Sequence, residues 1–348
     1  MPQFTIIVLM IIIVIAGLAF ALTNGLHDAS SVVATFIGCG AATPRQAIVL
    51  ASAFGLLGAV FGGSGVADTV SGVIDLPPQP ALLSVLLCAI AGATVWNLVT
   101  WKLGLPSSST HALIGGIIGA VLISHGTSHI SWGIAELTGP SHQVTGIVKV
   151  IAFLIFSPFI GFIAAFLLEK LSKLLLRNAK FSINRWIKVI QWLISAILSY
   201  SHGANDTQKI TGLITLALVS AQGGSMYSPP LWVRVAGGAV MFAGTLLGGW
   251  TIMKTIGQRI YKLMPVHSLN SQISAAGSIL AANMLGAPVS TTHVVVGSVM
   301  GVGAADRFRM VNWGITKEII VAWFITIPLS AGVSALLYGI LFVWLMPM

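Results

Sequence analysis

The chain has 348 residues, of which 56% are hydrophobic and only 7% charged, and its mean hydropathy is +0.96. A soluble protein of this length needs far more charge to cover its surface, so the composition excludes a water-soluble globular domain and predicts an all-α polytopic protein of the lipid bilayer. The net charge of +9 implies no nucleic-acid partner, because Lys170, Lys173, Arg177, Lys180, Arg185 and Lys188 place six of the seventeen basic residues in one central segment, which the positive-inside rule assigns to the cytoplasm.

The first apolar segment covers about 4–22 and runs straight into Thr23-Asn24-Gly25-Leu26-His27-Asp28-Ala29. No Lys or Arg precedes Arg45; a signal peptide needs a basic n-region, so a retained first membrane helix is expected. Further apolar segments fall at about 46–62, 81–100, 111–123, 148–168, 186–200, 208–221, 232–252, 272–285, 293–303 and 317–346. Ala112 to Ile123 is about 18 Å long as a helix and Val294 to Gly303 is shorter. Neither crosses about 30 Å of hydrocarbon alone. Short segments at matching places in two halves predict broken helices and half-helices meeting at a midplane site. The expected organisation is a first transport repeat over 1–147, a connecting helix and basic cytoplasmic loop over 148–188, a second transport repeat over 189–305, and a C-terminal membrane helix region over 306–348. The segment 124–147 is expected to be an external loop, and its His125, His129 and His142 fit no metal-ligand spacing. Cys39 and Cys88 lie in apolar surroundings and suggest neither a disulfide nor a redox site.

Asp28 has a counterpart. Ser201-His202-Gly203-Ala204-Asn205-Asp206-Thr207 repeats the first heptad at an offset of 178 residues, and only eight Asp and Glu occur in the chain. An ionised carboxylate at the bilayer centre costs roughly 2.5–3.5 kcal/mol on insertion scales, so two at matched positions predict a bound ion. Asn24 and Asp28, like His202 and Asp206, are four residues apart and share a helix face. Gly25 and Gly203 are expected to let the backbone open and turn carbonyls inward, completing a set of hard oxygen ligands for sodium or a relayed proton. The bland alternative is a polar clasp between helices without an ion.

A second pair of motifs, Pro106-Ser107-Ser108-Ser109-Thr110-His111 and Pro288-Val289-Ser290-Thr291-Thr292-His293, recurs at an offset of 182. Proline ends the preceding helix or fixes the turn, and the hydroxyls cap a helix that starts near the histidine. Unpaired N–H groups and hydroxyls then converge at the positive end of a helix dipole. Two such termini facing each other predict a cage of donors without fixed positive charge, suited to a small oxyanion that must also leave. His111 and His293 are expected to bond locally and orient the turn.

These four motifs, including Asn24-Gly25-Leu26-His27-Asp28 and Gly203-Ala204-Asn205-Asp206-Thr207-Gln208-Lys209, resemble the inorganic phosphate transporter family called PiT over nearly the whole chain. The resemblance implies an inverted repeat, a homodimer in the cell membrane, and symport of phosphate with sodium or protons. It implies that Ser108, Ser109, Thr110, Ser290, Thr291 and Thr292 bind phosphate. Asn24, Asp28, Asn205 and Asp206 would then bind the coupling ion, with sodium the candidate metal at Asp28 and Asp206. The family commonly has Ala and then Asn after the first aspartate; here Ala29, Ser30 and Ser31 follow, which argues against sodium and for a proton-coupled bacterial type.

Three other readings compete. A sulfate permease of the same family is one, although a carboxylate beside the substrate favours phosphate, which keeps a proton to donate. An intramembrane serine hydrolase using Ser109 or Thr291 with His111 or His293 is disfavoured, because the motif is duplicated and no Gly-x-Ser-x-Gly elbow is present. A passive channel would not need two buried carboxylates. The expectation is a transporter with no cofactor other than a sodium ion, and not an enzyme.

Overall fold

A computed structural model describes residues 2–140, 142–223, 228–247 and 250–345. The first half runs through α1 (Gln3–His27), α2 (Ala29–Gly38), α3 (Pro44–Phe61), α4 (Gly65–Ser71), α5 (Leu82–Leu103), α6 (Ser109–Ser124) and the short α7 (Ile134–Thr138). The second runs through α8 (Gly146–Leu175), α9 (Ile183–Gln222), α10 (Leu231–Leu247), α11 (Trp250–Lys254), α12 (Pro265–Met284), α13 (Thr291–Arg307) and α14 (Trp313–Tyr338). Among the described residues the only β pairing is a bridge between Ile74 and Ile130, which ties the loop after α4 to the loop after α6.

Five stretches are long and apolar enough to cross a membrane: Gln3–Gly38, Pro44–Phe61, Leu82–Leu103, Gly146–Leu175 and Trp313–Val343. Leu231–Leu247 and Ile252–Arg259 add a sixth if taken together across a 73° bend. The polarity of the fold is that of a bilayer protein. Ile155, Phe156, Phe159 and Ile163 of α8 lie exposed, a patch suited to hydrocarbon rather than water. The interior, besides its apolar core, holds Asp28, Glu169, Asp206, Lys209 and many hydroxyl side chains.

Helix α9 departs from expectation. Instead of two segments interrupted at Gly203, it is one continuous helix of 40 residues, about 60 Å long. Its Leu198 belongs to an apolar core with α12 and α13, and its Ile210, Leu213 and Ile214 belong to another with α1, α5 and α6. The polar stretch from Ser199 to Lys209 lies between these two anchors. The chain also stays helical through Gly25, and Asp28 keeps a right-handed helical conformation (φ −83°, ψ −35°). The two glycines therefore do not open the backbone. A Cβ on Gly25 would collide with the carbonyl of Met241 in α10, and one on Gly203 with the carbonyl of Gly55 in α3. Both glycines allow helices to approach closely.

The same device locks the halves together crosswise. α6 lies along α14, and α13 along α8, so each short helix packs on the long helix that follows the other. Gly115 and Gly119 face the backbone carbonyls of Ile327 and Ala331, while Gly297 and Gly301 face those of Pro158 and Phe162. The second pair lies 182 residues beyond the first, the offset already seen between Pro106 and Pro288.

Any side chain at Gly119 or Gly301 must push two helix backbones apart. Gly119→Val and Gly301→Val should each abolish the monodisperse peak on size-exclusion chromatography of detergent-extracted protein. Gly332→Ala is the control: its Cβ would meet nothing within 4 Å, and it should elute like the parent.

Candidate functional site

Ser108 and Ser290 begin the two short helices. The Ser108 Oγ accepts the N–H of His111 at 3.1 Å and the Ser290 Oγ accepts that of His293 at 3.3 Å. Each cap satisfies one first-turn donor. The N–H groups of Ser109, Thr110, Thr291 and Thr292 are among those that an α-helix leaves without an internal acceptor. The two N-termini meet: Thr110 Oγ1 donates to the carbonyl of Val289 at 3.1 Å, and the rings of His111 and His293 lie 4.6 Å apart. The expected convergence of the two motifs is present.

Both aspartates are buried at this junction. Asp28 Oδ2 accepts a short hydrogen bond from Ser109. Its Oδ1 accepts from Thr292 Oγ1 at 2.9 Å, and His27 Nδ1 lies 2.9 Å away. Thr292 Oγ1 also lies 3.2 Å from Ser31 Oγ. Asp206 Oδ2 accepts from Thr291 Oγ1 at 3.1 Å, and His202 Nδ1 lies 3.1 Å from the same oxygen, as the four-residue spacing predicts. Asp206 Oδ1 is 2.5 Å from Lys209 Nζ.

Lys209 overturns the expectation of a cage without fixed positive charge. The lysine is 1% exposed, and its ammonium also donates to Thr110 Oγ1 at 2.6 Å and to the Val289 carbonyl at 2.7 Å. The sequence carried the signal. A basic residue three positions after Asp206 in a buried stretch is as costly as the aspartate itself, and the same argument applies to it.

The residue preceding each aspartate fixes the adjacent turn. His27 Nε2 lies 3.1 Å from the Leu105 carbonyl; Asn205 Nδ2 donates to the Ala287 carbonyl at 3.1 Å and to Asn283 Oδ1 at 2.6 Å. Asn205 Oδ1 in turn accepts from the Val289 N–H at 3.3 Å. His27 and Asn205 are thus counterparts, as their places in the heptads require. Asn24 corresponds to His202 instead. Its amide is buried, and neither its oxygen nor its nitrogen has a hydrogen-bond partner. The structure thus brings Asp28, Asp206, Ser109, Thr110, Thr291 and Thr292 together. Ser108 and Ser290 act as caps, Asn205 braces the second turn, and Asn24 is buried one turn before Asp28.

His111 and His293 do not orient the turn by local hydrogen bonds. The His111 Nδ1 and both ring nitrogens of His293 are buried without a partner, and His293 stacks on Trp323 of α14 at 3.7 Å between ring centroids. Trp323 in turn donates from Nε1 to the Pro106 carbonyl at 3.2 Å, so packing rather than hydrogen bonding holds the histidines. Neither imidazole lies beside the hydroxyl of Ser109 or Thr291 as a base; the ring beside Thr291 Oγ1 is that of His202, at 3.1 Å.

Elsewhere, Glu169, His267 and Asp306 form a group with metal-ligand geometry among the described residues. It is better described as a clasp joining α8, α12 and α13, because Lys173 Nζ already pairs with Asp306 Oδ1 at 2.5 Å and Asn270 donates to Glu169 at 2.9 Å.

The chain is similar to known proteins along nearly its whole length. The sequence profile of the Phosphate transporter family matches residues 24–185 and 176–334. A "Probable low-affinity inorganic phosphate transporter" of Bacillus subtilis is 38% identical over 96% of this chain and 98% of its own length. Its namesake in Rhizobium meliloti is 40% identical over 95% and 96%. A solved structure titled "The sodium-dependent phosphate transporter" superposes with a TM-score of 0.85 at 27% identity, covering 97% of this chain and all of that one.

The contrast between the two asparagines can be measured. Asn205→Ala strips partners from a buried N–H and two carbonyl groups, at about 1–3 kcal/mol for each group left unsatisfied, and should lower the thermal midpoint clearly in detergent without added ligand. Asn24→Ala removes an amide that bonds to nothing and should shift the midpoint by less than half as much.

Proposed function

For this chain, which belongs to the phosphate transporter family, we propose symport: inorganic phosphate crosses the cell membrane together with a cation, a proton or sodium, bound at Asp28. The relatives are transporters, and the protein is a multi-pass membrane transporter rather than an enzyme.

The observation that carries the coupling is the charge arrangement at the junction. Asp206 has Lys209 as counter-ion, whereas Asp28 has no lysine or arginine among its contacts, only His27, Ser109 and Thr292. With both carboxylates ionised and His27 and His202 neutral, the two aspartates and one lysine sum to one excess negative charge before any substrate arrives. A phosphate anion entering that environment is repelled, and desolvating it there is costly. A cation on Asp28 cancels the excess. The hydroxyl of Thr292 stands beside the carboxylate, that of Ser31 donates to the Asp28 backbone carbonyl, and the unpartnered Asn24 amide lies one turn earlier. These oxygens suit a proton or sodium. Asn205 supports the turn, its two N–H donors going to Asn283 and Ala287 and its oxygen accepting from Val289.

The phosphate would sit where the two helix N-termini converge. There the hydroxyls of Ser109, Thr110, Thr291 and Thr292 and the first-turn N–H groups supply donors at the positive ends of two dipoles. In the resting arrangement the Ser109 and Thr291 hydroxyls point at the carboxylates. Neutralising Asp28 weakens its hold on Ser109 and Thr292 and makes those donors available to the anion. Cation binding thereby prepares phosphate binding, with the hydroxyls as the shared element.

Radiolabelled phosphate uptake into proteoliposomes, with proton and sodium gradients imposed separately, tests this reading. One of the two gradients should drive accumulation, arsenate should compete and sulfate should compete weakly. Sulfate matching unlabelled phosphate at equal concentration would sink the substrate assignment and favour the sulfate permease.

A second test addresses Asp28. Asp28→Asn keeps a hydrogen-bonding side chain but removes the charge, and should abolish gradient-driven accumulation while the protein reaches the membrane at parental levels. Near-normal accumulation at matched expression would reduce Asp28 to a helix clasp.

A further inference from the structure

Lys209 is the single buried lysine or arginine among the described residues, and the coupling scheme above uses it only in a charge count. Its position becomes informative when the halves are aligned. The offset that carries Asp28 to Asp206 carries Ser31 to Lys209, and the offset that carries Pro106 to Pro288 carries Thr110 to Thr292. In the first half, Thr292 donates directly to Asp28 Oδ1 at 2.9 Å and lies 3.2 Å from Ser31 Oγ. In the second half, the ammonium of Lys209 stands between Asp206 and the matching threonine. It lies 2.5 Å from Asp206 Oδ1, 2.6 Å from Thr110 Oγ1 and 2.7 Å from the Val289 carbonyl.

A carboxylate, a hydroxyl and a carbonyl around one point charge form the hard-oxygen environment that transporters offer to a coupling cation. An ammonium has three N–H donors and no more, and three acceptors already engage them. Lys209 therefore has no donor left with which to hold an oxyanion, which separates it from the lysines that clamp phosphates as point charges. Its charge is directed to Asp206, not to the substrate. The alkyl stem rises from α9 three residues after Asp206, so the cation is covalently fixed to the helix that carries its carboxylate. It cannot leave on either side of the membrane.

Resting on the symport reading above, we propose that Lys209 is a tethered cation that permanently fills the second half's cation site. Each phosphate then needs a free cation at Asp28 alone. The two halves share one design of carboxylate and cross-half threonine; in one the cation comes from solution and in the other from the chain.

The test replaces the tethered cation with a diffusible one. Lys209→Ser installs the residue that the first half carries at this position. In proteoliposomes driven by whichever gradient serves the unmodified protein, its phosphate uptake should fall by about tenfold or more below the parent's, because a buried carboxylate has lost its partner. The small cation that is not the coupling one, sodium under a proton gradient or methylammonium under a sodium gradient, should restore it. Lys209→Arg should show no such requirement. A lysine that merely braces α9 would leave Lys209→Ser equally impaired with or without small cations. That result, or parental uptake without the added cation, overturns the proposal. If Lys209→Ser cannot be extracted as a folded protein, the unmodified transporter still decides. The order of its uptake in the coupling cation should be about one, and a Hill slope near two would show a second free site. An unmodified protein that moves no phosphate under either gradient would overturn the symport reading and this proposal with it. Transport by the unmodified protein without cation rescue in Lys209→Ser overturns only the role of the lysine.

Discussion

A carboxylate removed from water must be surrounded by donors or lose its charge, and the centre of this protein is organised around meeting that demand twice. Asp28 draws Ser109 from its own half and Thr292 from the other; Asp206 draws Thr291 from its own half and reaches Thr110 of the other through Lys209. Each aspartate thus cross-links the halves, and separating them would leave a buried charge with too few partners, a loss of about 3–5 kcal/mol where a buried pair is broken. The same bonds are adjustable, because a hydroxyl that donates to a carboxylate can turn to an anion once the carboxylate is neutralised. Binding and cohesion use one set of groups.

Around this polar centre the fold is arranged for lipid. The long helices α8 and α14 present apolar faces outward and press glycine-lined short helices inward. The close approach fixes the angle at which the N-termini of α6 and α13 meet. Trp323 transmits that packing to the site, since its ring stacks on His293 while its Nε1 holds the Pro106 carbonyl. One side chain of α14 therefore touches both turns.

Much of the site was legible in the sequence because it broke the composition. Two aspartates and two Ser/Thr runs at matched spacing stand out in an apolar chain, and the structure brings all four motifs to one place. What was missed follows from the same contrast. Hydropathy split α9 in two because the polar residues from Ser199 to Lys209 interrupt its apolar pattern, although a helix tolerates them once they face the protein interior. Gly25 and Gly203 suggested an opened backbone because glycine permits one; only the facing carbonyls of Met241 and Gly55 reveal that the need was for close packing. Lys209 stood inside a motif whose aspartate had already been singled out, and its charge was not weighed. The pairing of His27 with Asn205 is legible in the heptads themselves, where the two residues hold the same place although they differ in type.

The crosswise packing of the short helices has a consequence for how the chain is made. α13 finds its partner α8 already synthesised when it emerges, but α6 waits until α14, some two hundred residues later, before the glycine face at Gly115 and Gly119 is covered. Throughout that interval the first turn carrying Ser109 lacks the helix that buttresses it, and Asp28 lacks Thr292. Insertion of the first half therefore cannot by itself produce half of a site, and folding depends on contacts distant in sequence, which form slowly. A ribosome that stops short of Trp313 leaves a polypeptide with two buried acids and no finished cavity, a species recognisable to membrane quality control by the polar groups it cannot cover.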